Sequence, residues 1–327
     1  MAKRRAGSAT RARRAGLFGP LVDVLNATIS TETRRNPFQR DPAFIAQLRP
    51  LIKAINFYFG TTVRGWQHVP RRGPFLIVGN HSGGAEPNDF WFLLDAWIEQ
   101  RGVDAPLYGL GYDLLFGMPV VGPMLRRIGV VPASHANAKR ALARDAAVVV
   151  FPGGDYEVFR PWTERNRIEF GGRTGFIELA LTAGVPVVPM TIHGAHQSTL
   201  ALTRGRRIAR WTGIDRLDVN VFPFIWNIPF GLTPAFIPSV QLPAKVTVQF
   251  GKPLDWSHYG AAAARDSAVL KRCYGEITRS MQRTLDALAR QHPYPVISRI
   301  AELTPRALGD RLAGVFSSPG RRGRRNT

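Results

Sequence analysis

The segment Ala146-Ala147-Val148-Val149-Val150-Phe151 constrains the fold more than any other stretch of this chain. Its residues are small, β-branched or aromatic, with no polar position to face water, the pattern of a strand buried on both faces. Phe75-Leu76-Ile77-Val78 and Val185 to Ile192 repeat the pattern, and Thr174 to Ala183, closed by Gly184, reads as a helix. Strand, helix, strand in this order predicts an α/β fold with a largely parallel central sheet flanked by helices. Ligands of such sheets gather beyond the carboxyl ends of the strands.

With 327 residues, 45% of them hydrophobic, the chain can bury one large core or two small ones. No internal repeat and no second domain is indicated. The expected organisation is a basic, disordered tail over residues 1–35, one domain over 36–295, and a basic C-terminal tail over 296–327. Phe44, Ile45, Leu48, Leu51, Ile52, Ile55 and Phe59 recur at helical spacing, so the domain should open with an amphipathic helix packed on its core. Pro50 falls inside that pattern and is expected to kink or restart the helix. Val269, Leu270, Cys273, Tyr274, Ile277, Met281, Leu285 and Leu288 mark a second, long amphipathic helix, with Cys273 on its apolar face as packing. As the single cysteine, it excludes an intrachain disulfide and a structural zinc finger, and suits a reducing compartment.

The formal net charge of +21 calls for an anionic partner: nucleic acid, acidic lipid head groups or a phosphorylated substrate. Arginines crowd both ends of the chain. The N-terminal run is not followed by an unbroken apolar core with a small-residue cleavage site, so it is not read as a signal peptide. Between Asp218 and Lys245 lies a charge-free stretch rich in aromatic and aliphatic residues. Pro223, Pro229, Pro234, Pro238 and Pro243 forbid a regular membrane-spanning helix there. The expectation is an irregular apolar segment packed on the domain, with Trp226 placed for head-group depth.

Chemistry concentrates just past two strand ends. The strand Phe75–Val78 runs into Gly79-Asn80-His81-Ser82-Gly83-Gly84-Ala85-Glu86-Pro87-Asn88-Asp89, a turn-rich loop with one histidine and two acids. A neutral imidazole can take the proton of an attacking hydroxyl, and a carboxylate on its other nitrogen fixes the tautomer and stabilises the imidazolium. Phe151 leads into Pro152-Gly153-Gly154-Asp155-Tyr156-Glu157, where paired glycines permit a close backbone approach to an anion. Arg126, Arg127 and Arg160 could supply positive charge, and the glycine-rich loops could supply N–H donors to an oxyanion. His193 and His196 have no accompanying acidic or Cys cluster, so they are assigned to pocket wall or structure and no metal site is expected.

Taken together, the His81 loop, the segment from Arg126-Arg127 to Ser134, Phe151 to Glu157, and Val185-Pro186-Val187-Val188-Pro189 resemble the four ordered blocks of the glycerolipid acyltransferase family. The similarity covers roughly residues 45 to 255. That family's first block places an Asp after His and four intervening residues; here Glu86 holds that position and Asp89 follows. Asp89 is ranked ahead of Glu86 as partner of His81. The third block, usually Phe-Pro-Glu-Gly, reads Phe151-Pro152-Gly153-Gly154, a variant similar to the diacylglycerol acyltransferase-like branch, and Ser134 stands where an Arg often follows. The resemblance implies acyl transfer from acyl-CoA or acyl carrier protein to a lysophospholipid or glycerolipid hydroxyl. It implies His81, Asp89 and Glu86 as catalytic candidates, with Asn80, Gly83, Gly84, Arg126, Arg127, Phe151, Pro152, Gly153, Gly154, Glu157 and Arg160 lining the substrates. No cofactor is expected beyond the acyl donor. An anionic membrane surface is the expected partner, with the protein peripheral to or embedded in the cytoplasmic face of the cell membrane.

Two other classes fit less well. A nucleic-acid-binding protein would match the charge, but no reader motif accompanies the basic tails. A lipid esterase would need a nucleophile elbow; no Gly-X-Ser-X-Gly is present, and Ser82 directly follows His81.

Overall fold

The computed structural model describes residues 36–81, 88–212, 221–227, 230–234 and 241–304. Both expected tails, apart from residues 296–304, and the loop residues Gly83, Gly84 and Glu86 lie outside the described residues.

In chain order the strands are β1 (Thr62–Arg64), β2 (Phe75–Gly79), β3 (Leu107–Gly111), β4 (Val130–Pro132), β5 (Ala147–Val150), β6 (Val187–His193), β7 (Leu200–Thr203), β8 (Phe224–Asn227), β9 (Gly231–Pro234) and β10 (Thr247–Phe250). Seven of them form one sheet in the order β1-β10-β6-β2-β5-β3-β4, and β7-β8-β9 form a second. In the large sheet every pairing is parallel except β10 with β6. β2 is central, with Val78 opposite Val150 of β5 and Pro189 of β6, so the carboxyl ends of all three emerge side by side.

The absence of alternation in these runs has a direct structural counterpart. Ile77, Val149 and Val188 enter one core with the helices Pro42–Tyr58 and Asn88–Arg101. Leu76, Val148 and Val187 enter the other, against His135–Leu142, Gly175–Ala183 and Ser267–Gln291. Successive residues of a strand point to opposite faces, so a strand covered on both sides must be apolar at every position. Cys273, Ile277, Met281, Leu285 and Leu288 are the buried face of the long helix.

The helix Pro42–Tyr58 does not restart at Pro50 but runs through it as one element, capped by Asp41, whose carboxylate accepts from Phe44 N at 3.0 Å. Two expectations need correction. The chain does not turn to tail at 296: the helix Pro295–Leu303 crosses that boundary, and its buried Arg299 donates to the Tyr58 carbonyl at 3.1 Å and to that of Phe57. Arg299 thereby satisfies carbonyls that the last turn of a helix leaves without intrahelical donors. The apolar segment before Lys245, expected to be irregular, contributes β8 and β9. Prolines break helices but are tolerated at strand ends and on edge strands: Pro223 precedes β8, and Pro234 closes the edge strand β9. Among the described residues no helix is long and apolar enough to cross a membrane.

Candidate active site

His81 follows the end of β2, where the chain leaves the sheet, and each residue before it has a fixed task. Gly79 lets the Phe151 ring approach: a Cβ there would sit 2.6 Å from Phe151 Cε1, closer than a carbon can come. Asn80, expected to meet substrate, is fully buried and committed elsewhere. Its Nδ2 donates to Ile192 O at 2.9 Å and its Oδ1 accepts from Ile192 N at 2.8 Å, so an amide side chain extends the β2–β6 pairing beyond the last paired residues.

The His81 ring is held on two sides. Nδ1 lies 2.7 Å from Asp89 Oδ2, and the ring stacks on Phe151 with centroids 4.7 Å apart. An ionised carboxylate only accepts, so this contact places the imidazole proton on Nδ1 and leaves Nε2 with its lone pair. Asp89 is in the first turn of Asn88–Arg101, where the helix dipole favours negative charge. The side chain of His81 retains 21% of its surface, while Asp89 retains 7%.

The backbone of His81 is fixed by a buried ion pair. Its N–H donates to Glu157 Oε2 at 3.0 Å, and its carbonyl accepts from Arg160 Nη2 at 3.1 Å. Glu157 and Arg160 are themselves 3.0 Å apart and almost wholly buried. Burial pushes the Glu157 carboxyl above its ordinary range, against the pull of the Arg160 guanidinium and the N–H groups of His81 and Glu169. Burial likewise pulls Arg160 below its usual value. Both residues were expected to line substrate; the structure instead places them behind the histidine, as the clamp that sets its position.

The Phe151-Pro152-Gly153-Gly154 turn is packed from within. A Cβ on Gly153 would meet Glu157 Oε2 at 2.4 Å, so the close approach this glycine permits is to the protein's own carboxylate. Arg173, which sequence reasoning missed, donates to the carbonyls of Pro152 and Gly153 at 3.1 and 2.7 Å and pairs with Asp155 at 2.8 Å. Nothing local distinguishes it among the neighbouring arginines; only the return of the chain toward the helix Gly175–Ala183 brings it here.

In the second block, Arg127, expected to line substrate, turns to the first helix instead. Arg127 pairs with Asp41 at 2.8 Å, lies 3.7 Å over the Phe44 ring, and so fastens the start of the first helix. Arg126 is buried over the Phe116 ring. Ser134 caps His135–Leu142 by accepting from Asn137 N at 3.1 Å, and the exposed His135 meets the Gly175 carbonyl at 2.8 Å.

His193 and His196 are buried beneath the clamp. His196 Nε2 donates to Arg160 O at 3.0 Å, and Gln197 reaches His193 Nε2 at 3.4 Å. Burial, reinforced by nearby positive charge, lowers His193 to about 4 and holds His196 well below the ordinary histidine value, so both are neutral near pH 7. Among the described residues no three His, Cys, Asp or Glu side chains are grouped to hold a metal ion.

The model of a family described as Acyltransferase matches residues 60–193, which run from β1 through β6 and contain His81, Asp89, Phe151, Glu157 and Arg160. An uncharacterized protein of Mycobacterium tuberculosis is 30% identical over 274 residues, covering 83% of this chain and 74% of that protein. A bovine protein named as a DGAT1/2-independent enzyme synthesizing storage lipids is 26% identical over 154 residues, 47% of this chain and 44% of its own length. Among solved structures, the 1-acyl-sn-glycerophosphate acyltransferase PlsC of Thermotoga maritima aligns over 84% of this chain and 89% of its own, with 18% identity and a TM-score of 0.43.

Proposed function

Because the chain belongs to the acyltransferase family, we propose that it moves a fatty acyl group from acyl-CoA or an acyl carrier protein to a lipid hydroxyl, with His81 as general base. The observation that carries this reading is the 2.7 Å contact between His81 Nδ1 and Asp89. It leaves Nε2 to take the acceptor's proton as the hydroxyl oxygen attacks the thioester carbonyl. The thiolate then leaves as the tetrahedral intermediate collapses, and no enzyme nucleophile is needed. Asp89 stabilises the imidazolium that forms between the two steps.

The acceptor is a lysophospholipid or a glycerolipid at the cytoplasmic face of the cell membrane. The Phe151-Pro152-Gly153-Gly154 turn favours the glycerolipid side, as does the bovine relative's name. The net charge of +21 suits an anionic membrane surface as the place of work.

The test is a purified-protein assay with labelled acyl-CoA and membrane lipids, followed by identification of the labelled product. His81→Ala is expected to lower turnover by roughly 10²–10⁴-fold with an unchanged melting temperature. Asp89→Asn should fall well below Glu86→Gln in the same assay. An equally stable His81→Ala protein that turns over at the wild-type rate removes His81 from the mechanism.

A further inference from the structure

The small sheet presents a bare apolar face. In its register Leu200 lies opposite Trp226, and Trp226 opposite Leu232, so three large apolar side chains form one row across the strands. Leu200, Leu202, Trp226 and Leu232 are 37%, 49%, 56% and 56% exposed, and Phe230, at the β8–β9 connection, is 66% exposed. The adjacent row, Ala201, Ile225 and Thr233, is buried. A folded chain left to water alone would place polar residues on the outer row.

Charge identifies what covers this face. From Leu200 to Leu254 the sequence carries seven basic residues against two acidic ones, and exposed Arg207 and Arg210 lie on the helix Arg206–Thr212 that follows β7. Exposed Trp211 is on the same helix. Two copies pressed together through such a surface would oppose cation to cation. An anionic lipid surface instead matches both features, accepting apolar side chains among its acyl chains, tryptophan at head-group depth and arginine at its phosphates.

The sheet is also fastened to the site. Its inner residues Ala201 and Ile225 pack with Phe159 and Val158, just beyond the Gly153-Gly154 turn. Arg204, at the end of β7, donates to Tyr156 O at 3.3 Å and pairs with Glu164 at 2.8 Å.

We infer that the outer face of β7-β8-β9 is a docking surface for anionic membrane lipid, holding the site against the bilayer that contains its acceptor. The purpose of this seat rests on the acyltransferase reading, but the seat itself is measured without turnover. The full chain is floated with vesicles of phosphatidylcholine plus phosphatidylglycerol, or of phosphatidylcholine alone. Wild type and His81→Ala are expected to float with the mixed vesicles. The triple variant L200S/W226S/L232S should lose on the order of tenfold or more in binding. Bimane attached at Leu232→Cys should shift to shorter wavelength when mixed vesicles are added.

Equal flotation of wild type and triple variant, an unshifted bimane, or equal binding to uncharged vesicles overturns the proposal. A wild-type dimer that the triple variant loses also overturns it, in favour of a second copy as the occupant. Intact flotation by a protein inactive with every acyl donor would overturn the acyltransferase reading and leave the seat standing.

Discussion

In the seven-stranded sheet Leu76 and Ile77 point into opposite cores and both are fully buried, whereas in the three-stranded sheet Ile225 is buried and its neighbour Trp226 is 56% exposed. The same strand geometry thus serves two ends. With helices on both faces, the large sheet fixes the ends of β2, β5 and β6 in register, which lets a main-chain N–H and a carbonyl of His81 meet Glu157 and Arg160. With one face covered, the small sheet offers its other face to a partner. A site requires the first arrangement, because hydrogen-bond distances at His81 depend on a platform that does not repack.

The largest change in stability is expected at the clamp. Glu157→Ala leaves Arg160 buried without its counter-ion and His81 N–H without its acceptor, which should cost about 3–5 kcal/mol in chemical denaturation. Glu157→Gln keeps an acceptor of the same size but not the charge, and should be less destabilising than Glu157→Ala. Equal stability of Glu157→Ala and wild type would mean the clamp does not hold the fold there. Next comes a direct comparison of the two sheets. Ile77→Ala opens a cavity in the main core and should cost about 2–5 kcal/mol, while Leu232→Ser on the outer row of the small sheet should stay within about 0.5 kcal/mol. A large loss at Leu232 would show that its face is packed against protein.

A further effect is pH-dependent and belongs to the end of β6 in the large sheet. His193 is held at about 4, against an ordinary 6.5. Below pH 6.5 the unfolded chain takes up a proton that the folded one refuses, so stability is full above that value and declines as pH falls toward 4. Thermal melts across this window should show the decline, with a shallower slope in His193→Gln. An identical slope in both proteins would place the titration elsewhere.

Much of the site could be read in the residues because its parts follow strand ends. His81, Phe151 and Gly153 sit just past apolar strands and Asp89 opens the helix that follows the first of them, and the order of the blocks marked them together. Their roles were less legible. Asn80, Glu157 and Arg160 carry polar groups that sequence alone cannot aim; each turned to the protein's own backbone or to a buried counter-ion, while Arg127 turned to Asp41 at the surface. In an interior where an unmet donor or acceptor costs about 1–3 kcal/mol, such side chains find their partners inside the fold. Arg173 and Arg299 gave no local signal, since their acceptors are carbonyls distant in the chain.

Sequence by itself determined the parallel sheet, because a strand covered on both faces has to be apolar at every position, and it determined which loops the sheet would bring together. The tertiary structure decided which carboxylate among the described residues meets the histidine, that the Glu157–Arg160 pair lies behind it, and that β7, β8 and β9 form a sheet with one open face. The physical reason is the range of the forces. Burial of apolar runs is specified residue by residue along a strand, whereas hydrogen bonds and ion pairs are specified only when segments far apart in the chain are brought within about 3 Å of each other.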